Sequence, residues 1–347
     1  MHIKKYISVL MAGSVVISGL LMTSTVNAYA ESGNTKRKVV NCSKKSAVIL
    51  ASGEKYTDIL TATVLANEKN CSILLTSKDF VDQNTVNEIK RLKVGEVIIS
   101  GGVDSVSENV ERQLNDFNVR RIAGEDRYET AVKIGDEVRS LSGNLDDAML
   151  VDGTNFPDVI TISALASQKR APILITQPEQ LVKSTKDTLQ EWNIKNTTIG
   201  GSYDSVSKNI EDNLEVTNVS RIGGADRYET AELVGAEVRN LTGNYDDMIL
   251  VDGTDFPDGI TINSLASKFN APIMLTPPNK LSETTINKIN DWSIQNILIG
   301  GGYKSVSKSI EENLGVENKE RVAGVDRYDT AVKISQRLSQ LKNYIGK

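Results

Sequence analysis

Arg127, Arg227 and Arg327 each follow an aspartate suited to cap a helix N-terminus. A cation in the first helical turn opposes the helix macrodipole. Two things would compensate: a buried carboxylate in a neighbouring unit, or an anionic ligand, since a guanidinium fork fits either. Arg121, Arg221 and Arg321 recur just upstream. Asp152 with Asp158, and Asp252 with Asp258, frame two Asp-Gly-Thr-x-Phe-Pro-Asp segments. Such pairs suit a ligand contact, carboxylate hydrolysis or Ca²⁺, although the spacing is not that of an EF-hand. A purely structural role is the other reading: Gly153 suits a turn and Pro157 the first turn of a helix.

The rest of the composition removes whole chemistries. The 347 residues include one histidine, His2. Residues 1–30 read as a secretory signal: Lys4 and Lys5, an uncharged run from Ile7 to Met22, and the small-x-small site Ala28-Tyr-Ala30. Polar sequence follows, so no retained membrane helix is expected. Without that segment 38 basic and 45 acidic residues remain, a net charge of −7, and no histidine. Ser-His-Asp and Cys-His nucleophiles are thereby excluded, as are His-based zinc sites. A globally acidic chain is a poor partner for nucleic acid.

The elements that carry these residues come from a repeat. Arg121-Ile-Ala-Gly-Glu-Asp-Arg-Tyr-Glu-Thr-Ala131 returns at Arg221–Ala231 and at Arg321–Ala331. Val151–Asp158 returns at Val251–Asp258, with a degenerate copy at Ala51–Asp58 in which Ser52 replaces the first aspartate. Ser105-Val-Ser107 keeps the same step of 100 residues. That period is a small domain, not a solenoid turn. It divides the chain into a signal (1–30), a polar leader (31–45) and modules at 46–145, 146–245 and 246–347.

In the second unit, short apolar runs alternate with helical periodicity. Strands are expected at Ala148–Val151, Ile173–Thr176, Asn196–Ile199 and Val219–Ile222. Helices are expected at about Pro157–Gln168, Lys183–Trp192, Ser207–Leu214 and Arg227–Leu241. This is an α/β pattern of parallel sheets covered by helices. Asp126 with Glu129 has capping-box spacing, and Tyr128, Ala131, Val132, Gly135 and Val138 would be the buried face. Gly124 permits a tight approach from strand to helix. Paired glycines at Gly101-Gly102, Gly200-Gly201 and Gly300-Gly301 permit close backbone contact without forming a dinucleotide fingerprint. Trp192 and Trp292 stand opposite Leu92, which points to packing rather than sugar stacking. Cys42 and Cys71 either pair or, as Ala171 and Ala271 suggest for Cys71, fill a small buried site.

The combination Arg-x-x-Gly-x-Asp-Arg-Tyr-x-Thr-Ala, Asp-Gly-Thr-x-Phe-Pro-Asp and Ile-Gly-Gly resembles the clostridial cell wall binding repeat type 2, over about Ser46 to Leu341. The resemblance implies three Rossmann-like or Toprim-like modules packed as a pseudo-threefold trimer. It also implies an exported protein, held non-covalently on a Gram-positive cell surface by an anionic secondary wall polymer. The polymer contacts would be Arg127, Arg227 and Arg327, then Arg121, Arg221 and Arg321, with Asp152, Asp158, Asp252 and Asp258 beside them. No catalytic residue, cofactor or metal is expected. The alternatives are a peptidoglycan hydrolase or modifier of a wall amidase, and a surface adhesin with a protein partner. Two departures from the family stand out. The first unit's altered Asp-Gly-Thr-x-Phe-Pro signature sets its site apart as inactive or changed. The chain also ends on the Arg-Tyr motif, so its last helix packs either on its own unit or against the first.

Overall fold

The computed structural model describes residues 46–59 and 61–345. The expected signal, the leader and Cys42 lie outside them. Strands and helices alternate throughout. The first sheet comprises β1 (Ala47–Ser52), β2 (Ile73–Thr76), β3 (Glu96–Ser100) and β4 (Val119–Ile122). Between them run α1 (Ala62–Glu68), α2 (Gln83–Leu92) and α3 (Glu108–Gln113), and α4 (Arg127–Ser142) follows. The second has β5 (Asp147–Asp152), α5 (Pro157–Lys169), β6 (Ile173–Thr176), α6 (Lys183–Glu191), β7 (Asn196–Gly200), α7 (Lys208–Asp212), β8 (Asn218–Ile222) and α8 (Arg227–Thr242). The third has β9 (Asp247–Asp252), α9 (Pro257–Thr261), α10 (Asn263–Phe269), β10 (Ile273–Thr276) and α11 (Glu283–Asp291). It ends with β11 (Asn296–Gly300), α12 (Lys308–Asn313), β12 (Asn318–Val322) and α13 (Arg327–Ile345).

Each sheet is wholly parallel, in the order β2-β1-β3-β4 and its two equivalents. Apolar runs such as Met149-Leu-Val151 are buried on both faces, as the central strand of a helix-covered parallel sheet requires. In the second sheet Leu150 pairs with Leu174 on one side and Ile199 on the other. The expected elements fall within a residue or two of those observed, and Ile173–Thr176 coincides. The short helix after Ser207 stops earlier than its pattern suggests, at Asp212.

One apolar core runs through all three sheets, from Ile49 through Met149 to Ile249. The helices carrying the Arg-Tyr motif make the joints. α4 packs on α1 and also on β6 and α6 of the next sheet; α8 repeats this with α5, β10 and α11. α13 packs on α9 behind it and on β2 and α2 of the first sheet, so it serves both its own unit and the first and closes the assembly into a pseudo-threefold ring. This two-sided packing changes the buried face of α4. Ala131, Ile134, Gly135 and Val138 are buried, whereas Tyr128 and Val132 are only partly covered.

Two joints share one chemistry. Trp192 lies so close over Gly135 that a Cβ there would stand 2.7 Å from its ring, and the Arg139 guanidinium sits 4.4 Å from the ring centroid. Trp292, Gly235 and Arg239 repeat the arrangement. The tryptophans therefore pack between units. The closing joint differs. There Ser335 donates to buried Glu88 at 2.5 Å, and Arg91 holds the same carboxylate at 2.6 and 2.7 Å. Cys71 is buried in the first unit's core. Among the described residues no helix is long and apolar enough to cross a membrane.

Candidate functional site: the switch-point crevices

In a sheet ordered 2-1-3-4 the winding reverses between the first and third strands, and ligands bind beyond the carboxyl ends of that pair. In the second sheet those ends are β5 and β7, and the loops leaving them carry the recurring motifs. Asp152, at the end of β5, accepts from the Thr154 N–H and hydroxyl, both at 2.7 Å, and so closes its own turn. Asp252 and Thr254 do the same. Ser52 performs this task in the first unit, accepting from the amides of Glu54 and Lys55 at 3.1 Å. Burial pushes the Asp152 and Asp252 carboxyls upward, against the turn's hydrogen bonds.

The second loop is locked to the first by Asp158. Its carboxylate accepts from the Ser205 hydroxyl at 2.6 Å, and Asp258 accepts from Ser305 at 2.8 Å. Asp58 and Ser105 are paired likewise. Gly201 has φ +102, and a Cβ there would stand 2.3 Å from the Asp158 carboxylate. Gly101, Gly201 and Gly301 are thus each required twice over, by a left-handed backbone and by the aspartate against it. Burial raises the Asp158 and Asp258 carboxyls, while the Ser205 and Ser305 hydroxyls and the charges of Arg227 and Arg327 pull them down.

The start of the Arg-Tyr helix forms the third wall. Asp126 caps α4, accepting from the Glu129 N–H at 2.9 Å. The Glu129 carboxylate reaches back to the Glu125 amide, one residue before the cap, rather than to the cap residue. Gly124 allows this hairpin: a Cβ there would lie 2.2 Å from that of Glu129. In the second unit Asn155, Asp158, Ser205, Asp226 and Arg227 enclose a crevice of about 140 Å³. The equivalent in the third unit, between Asp258, Ser305 and Arg327, opens to about 340 Å³.

The two sets of arginines are held in different ways. Arg127 reaches across its joint and donates to the Gly153 carbonyl of the next sheet at 2.8 Å. Arg227 does so to Gly253 at 2.5 Å, and Arg327 closes the ring on Gly53 at 2.6 Å. The partner in the neighbouring unit is thus a main-chain carbonyl, in place of the buried carboxylate that was one of the two compensations expected from sequence. Arg327 adds an ion pair with half-exposed Asp255 at 3.3 Å. All three are partly exposed, and among the described residues Arg127 and Arg227 engage one guanidinium nitrogen each. Arg221 is held far more completely. It meets Glu211 at 2.6 Å and donates to the carbonyls of Gly201, Ser202 and Val206 at 2.8–2.9 Å. Arg321 repeats this with Glu311, Gly301 and Val306, and Arg121 with Glu111 and Gly101. These arginines pin the glycine loop to β8 and its equivalents.

An aromatic triad joins the three units beside these loops. Tyr56, Phe156 and Phe256 meet with ring centroids 5.8–6.1 Å apart, one from each unit. Arg327 lies 5.8 Å from the Phe256 centroid. Tyr56, read from sequence as part of a degenerate copy, fills a triad position and donates to the Thr154 carbonyl. The aspartate–serine lock was visible in sequence only as two separately recurring residues, because its partners stand 47 residues apart. Among the described residues no cluster of three or more histidine, cysteine, aspartate or glutamate side chains is placed to hold a metal.

Three linked parallel α/β units, closed around one axis, with crevices at the winding reversals of the second and third, define a tandem-repeat α/β protein. The chain belongs to the cell wall binding domain 2 (CWB2) family, whose model matches residues 25–111, 121–211 and 221–311. It is 27% identical over 274 residues to the N-acetylmuramoyl-L-alanine amidase LytC of Bacillus subtilis (strain 168), covering 78% of this chain and 53% of that protein. It is 29% identical over 275 residues to the amidase enhancer of the same organism, covering 78% of this chain and 37% of the relative. The chain thus spans about half or less of the length of these relatives. Cwp6 from Clostridium difficile shares the fold, with a TM-score of 0.66 and 24% identity over 84% of this chain and 44% of that one.

Proposed function

We propose that this protein is an exported, non-catalytic wall-binding protein that holds a Gram-positive envelope through an anionic secondary wall polymer. The binding units are the modules at 46–145, 146–245 and 246–347. The observation that carries the reading is the threefold recurrence of Arg127, Arg227 and Arg327. Each is partly exposed, bridges a joint, and retains donors for a ligand. Membership of a wall-binding family supplies the setting. A net charge of −7 gives no long-range steering toward an anionic polymer, but screening at physiological salt reaches only about 8 Å, so local guanidinium groups decide the contact. Three modest sites on one body multiply by avidity.

The carboxylates support this reading over hydrolysis, since Asp152 closes its own turn and Asp158 holds Ser205. In this reading Arg121, Arg221 and Arg321 contribute by fixing the crevice wall. The test is co-sedimentation of the chain from residue 31 onward with purified walls, intact and stripped of secondary polymer. Retention on intact walls alone is expected, with no release of reducing sugars or new amines. Equal retention on stripped walls overturns the polymer reading, and release of wall fragments overturns the non-catalytic one.

A further inference from the structure

The tryptophans pack between units, yet two other aromatics stand exposed on the loops that wall the crevices. Tyr203 and Tyr303 lie on the glycine loops leaving β7 and β11, 50% and 55% exposed. One face of each ring is covered. The Arg221 guanidinium lies 4.4 Å from the Tyr203 centroid, and that of Arg321 lies 4.5 Å from Tyr303. Both arginines are themselves fixed by a glutamate and several carbonyls, so each ring rests on a rigid support. In the third unit the ring borders the crevice that also holds Asp258, Ser305 and Arg327, and Val325, 91% exposed, lines it too.

An amphipathic ring held flat beside planar polar groups suits one class of ligand. A pyranose has an apolar C–H face that stacks on an aromatic ring, and an equatorial rim of hydroxyls that bonds to carboxylates, hydroxyls and guanidinium groups. Tyrosine offers that surface at low cost in side-chain entropy, and a fixed support lowers the cost further. We propose that Tyr203 and Tyr303 are saccharide-stacking platforms, each placing a sugar residue of the wall polymer at the mouth of its crevice. The first unit has the same support beneath the position, Arg121 on Glu111 and Gly101, but carries Val103 there, 51% exposed. The protein therefore has two saccharide platforms on three equivalent modules. This inference rests on the wall-binding reading and specifies its ligand.

The experiment is calorimetric titration of the chain from residue 31 onward with polysaccharide released from Gram-positive walls by mild acid. Each of Tyr203→Ala and Tyr303→Ala should bind on the order of tenfold more weakly, as the loss of one fully used aromatic face implies. Tyr203→Leu, which still covers Arg221, should lose as much. Val103→Tyr should strengthen binding by a similar factor. Tyr245→Ala is the control: that ring is 52% exposed and lies over Arg239 at 5.1 Å, but at the amino end of β9, the end of the sheet opposite the switch-point crevices. It should bind as the parent does. Full binding by the Tyr203→Ala/Tyr303→Ala double variant, with loss in Arg227→Ala, overturns the platforms and leaves the wall-binding reading standing. Binding to walls but not to the released polysaccharide also overturns the platforms. Failure to bind either overturns both.

Discussion

Arg227→Ala separates ligand contact from structural joint, and the geometry sets the size of each effect. Arg227 contributes one hydrogen bond to the fold, to the Gly253 carbonyl at 2.5 Å. A buried bond from a charged donor contributes about 1.5–3 kcal/mol, and the partial exposure of this side chain reduces that to about 1 kcal/mol. A folded body of this size loses about 2 °C of Tm per kcal/mol. Arg227→Ala should therefore melt within a few degrees of the parent while binding walls more weakly. Arg227→Lys should lie between them, since lysine keeps a donor but loses the fork. Changing Arg127, Arg227 and Arg327 together should reduce binding far more than any single change, through lost avidity. Arg221→Ala sets the structural scale. It strands Glu211 and three carbonyls, at about 3–5 kcal/mol for a largely buried pair, and should lower Tm by roughly 5–10 °C. The assay is a thermal scan and wall co-sedimentation on the same preparation. A fall in Tm for Arg227→Ala as large as that for Arg221→Ala, with unchanged binding below the transition, would refute the assignment and make these arginines joint residues.

Two further outcomes concern the folded body itself. Burial raises the folded-state carboxyls of Asp158 and Asp258 above their unfolded values, so their contribution to stability is fully present below about pH 4 and is lost as pH rises through the raised folded values. Asp158→Asn/Asp258→Asn should thus melt higher than the parent at pH 7, with the gain shrinking toward pH 4; a gain that grows on acidification contradicts this. Glu88→Ala should destabilise the closing joint by about 2 kcal/mol, a buried-pair loss discounted for the exposure of Arg91. Amide exchange should rise along α13 before α8; equal protection of the two helices would show that closure does not depend on this carboxylate.

Much of this architecture is legible in the residues because repetition marks it three times. The strand Ile173–Thr176 and the helix beginning at Arg227 follow from apolar periodicity and capping alone, and the exact step of 100 residues fixes their equivalents. What sequence hides is the partner. Arg127 bonds a main-chain carbonyl, and a carbonyl leaves no mark in residue type. Ser52 looks like a lost motif yet closes the same turn as Asp152. The closing joint is masked for another reason: it replaces the tryptophan-on-glycine packing of the other two with Glu88, Arg91 and Ser335. Tyr203 and Tyr303 recur in two of the three units, but only the guanidinium behind each ring gives them an orientation.

The seat of the last helix fixes the number of repeats. α13 lies beside the first sheet as α4 lies beside the second, and α4 is joined to β5 by only the four residues Gly143–Asp146. A circular permutant starting at Asp147, with the end of α13 linked to Ala47 through a copy of that short turn, would place the same side chains at the same joints. An open solenoid gains or loses units at its ends without penalty to those between. A closed heterologous ring admits one copy number for a given joint angle. A fourth unit inserted here would find its helix seat already taken, and the aromatic triad on the axis has room for three rings.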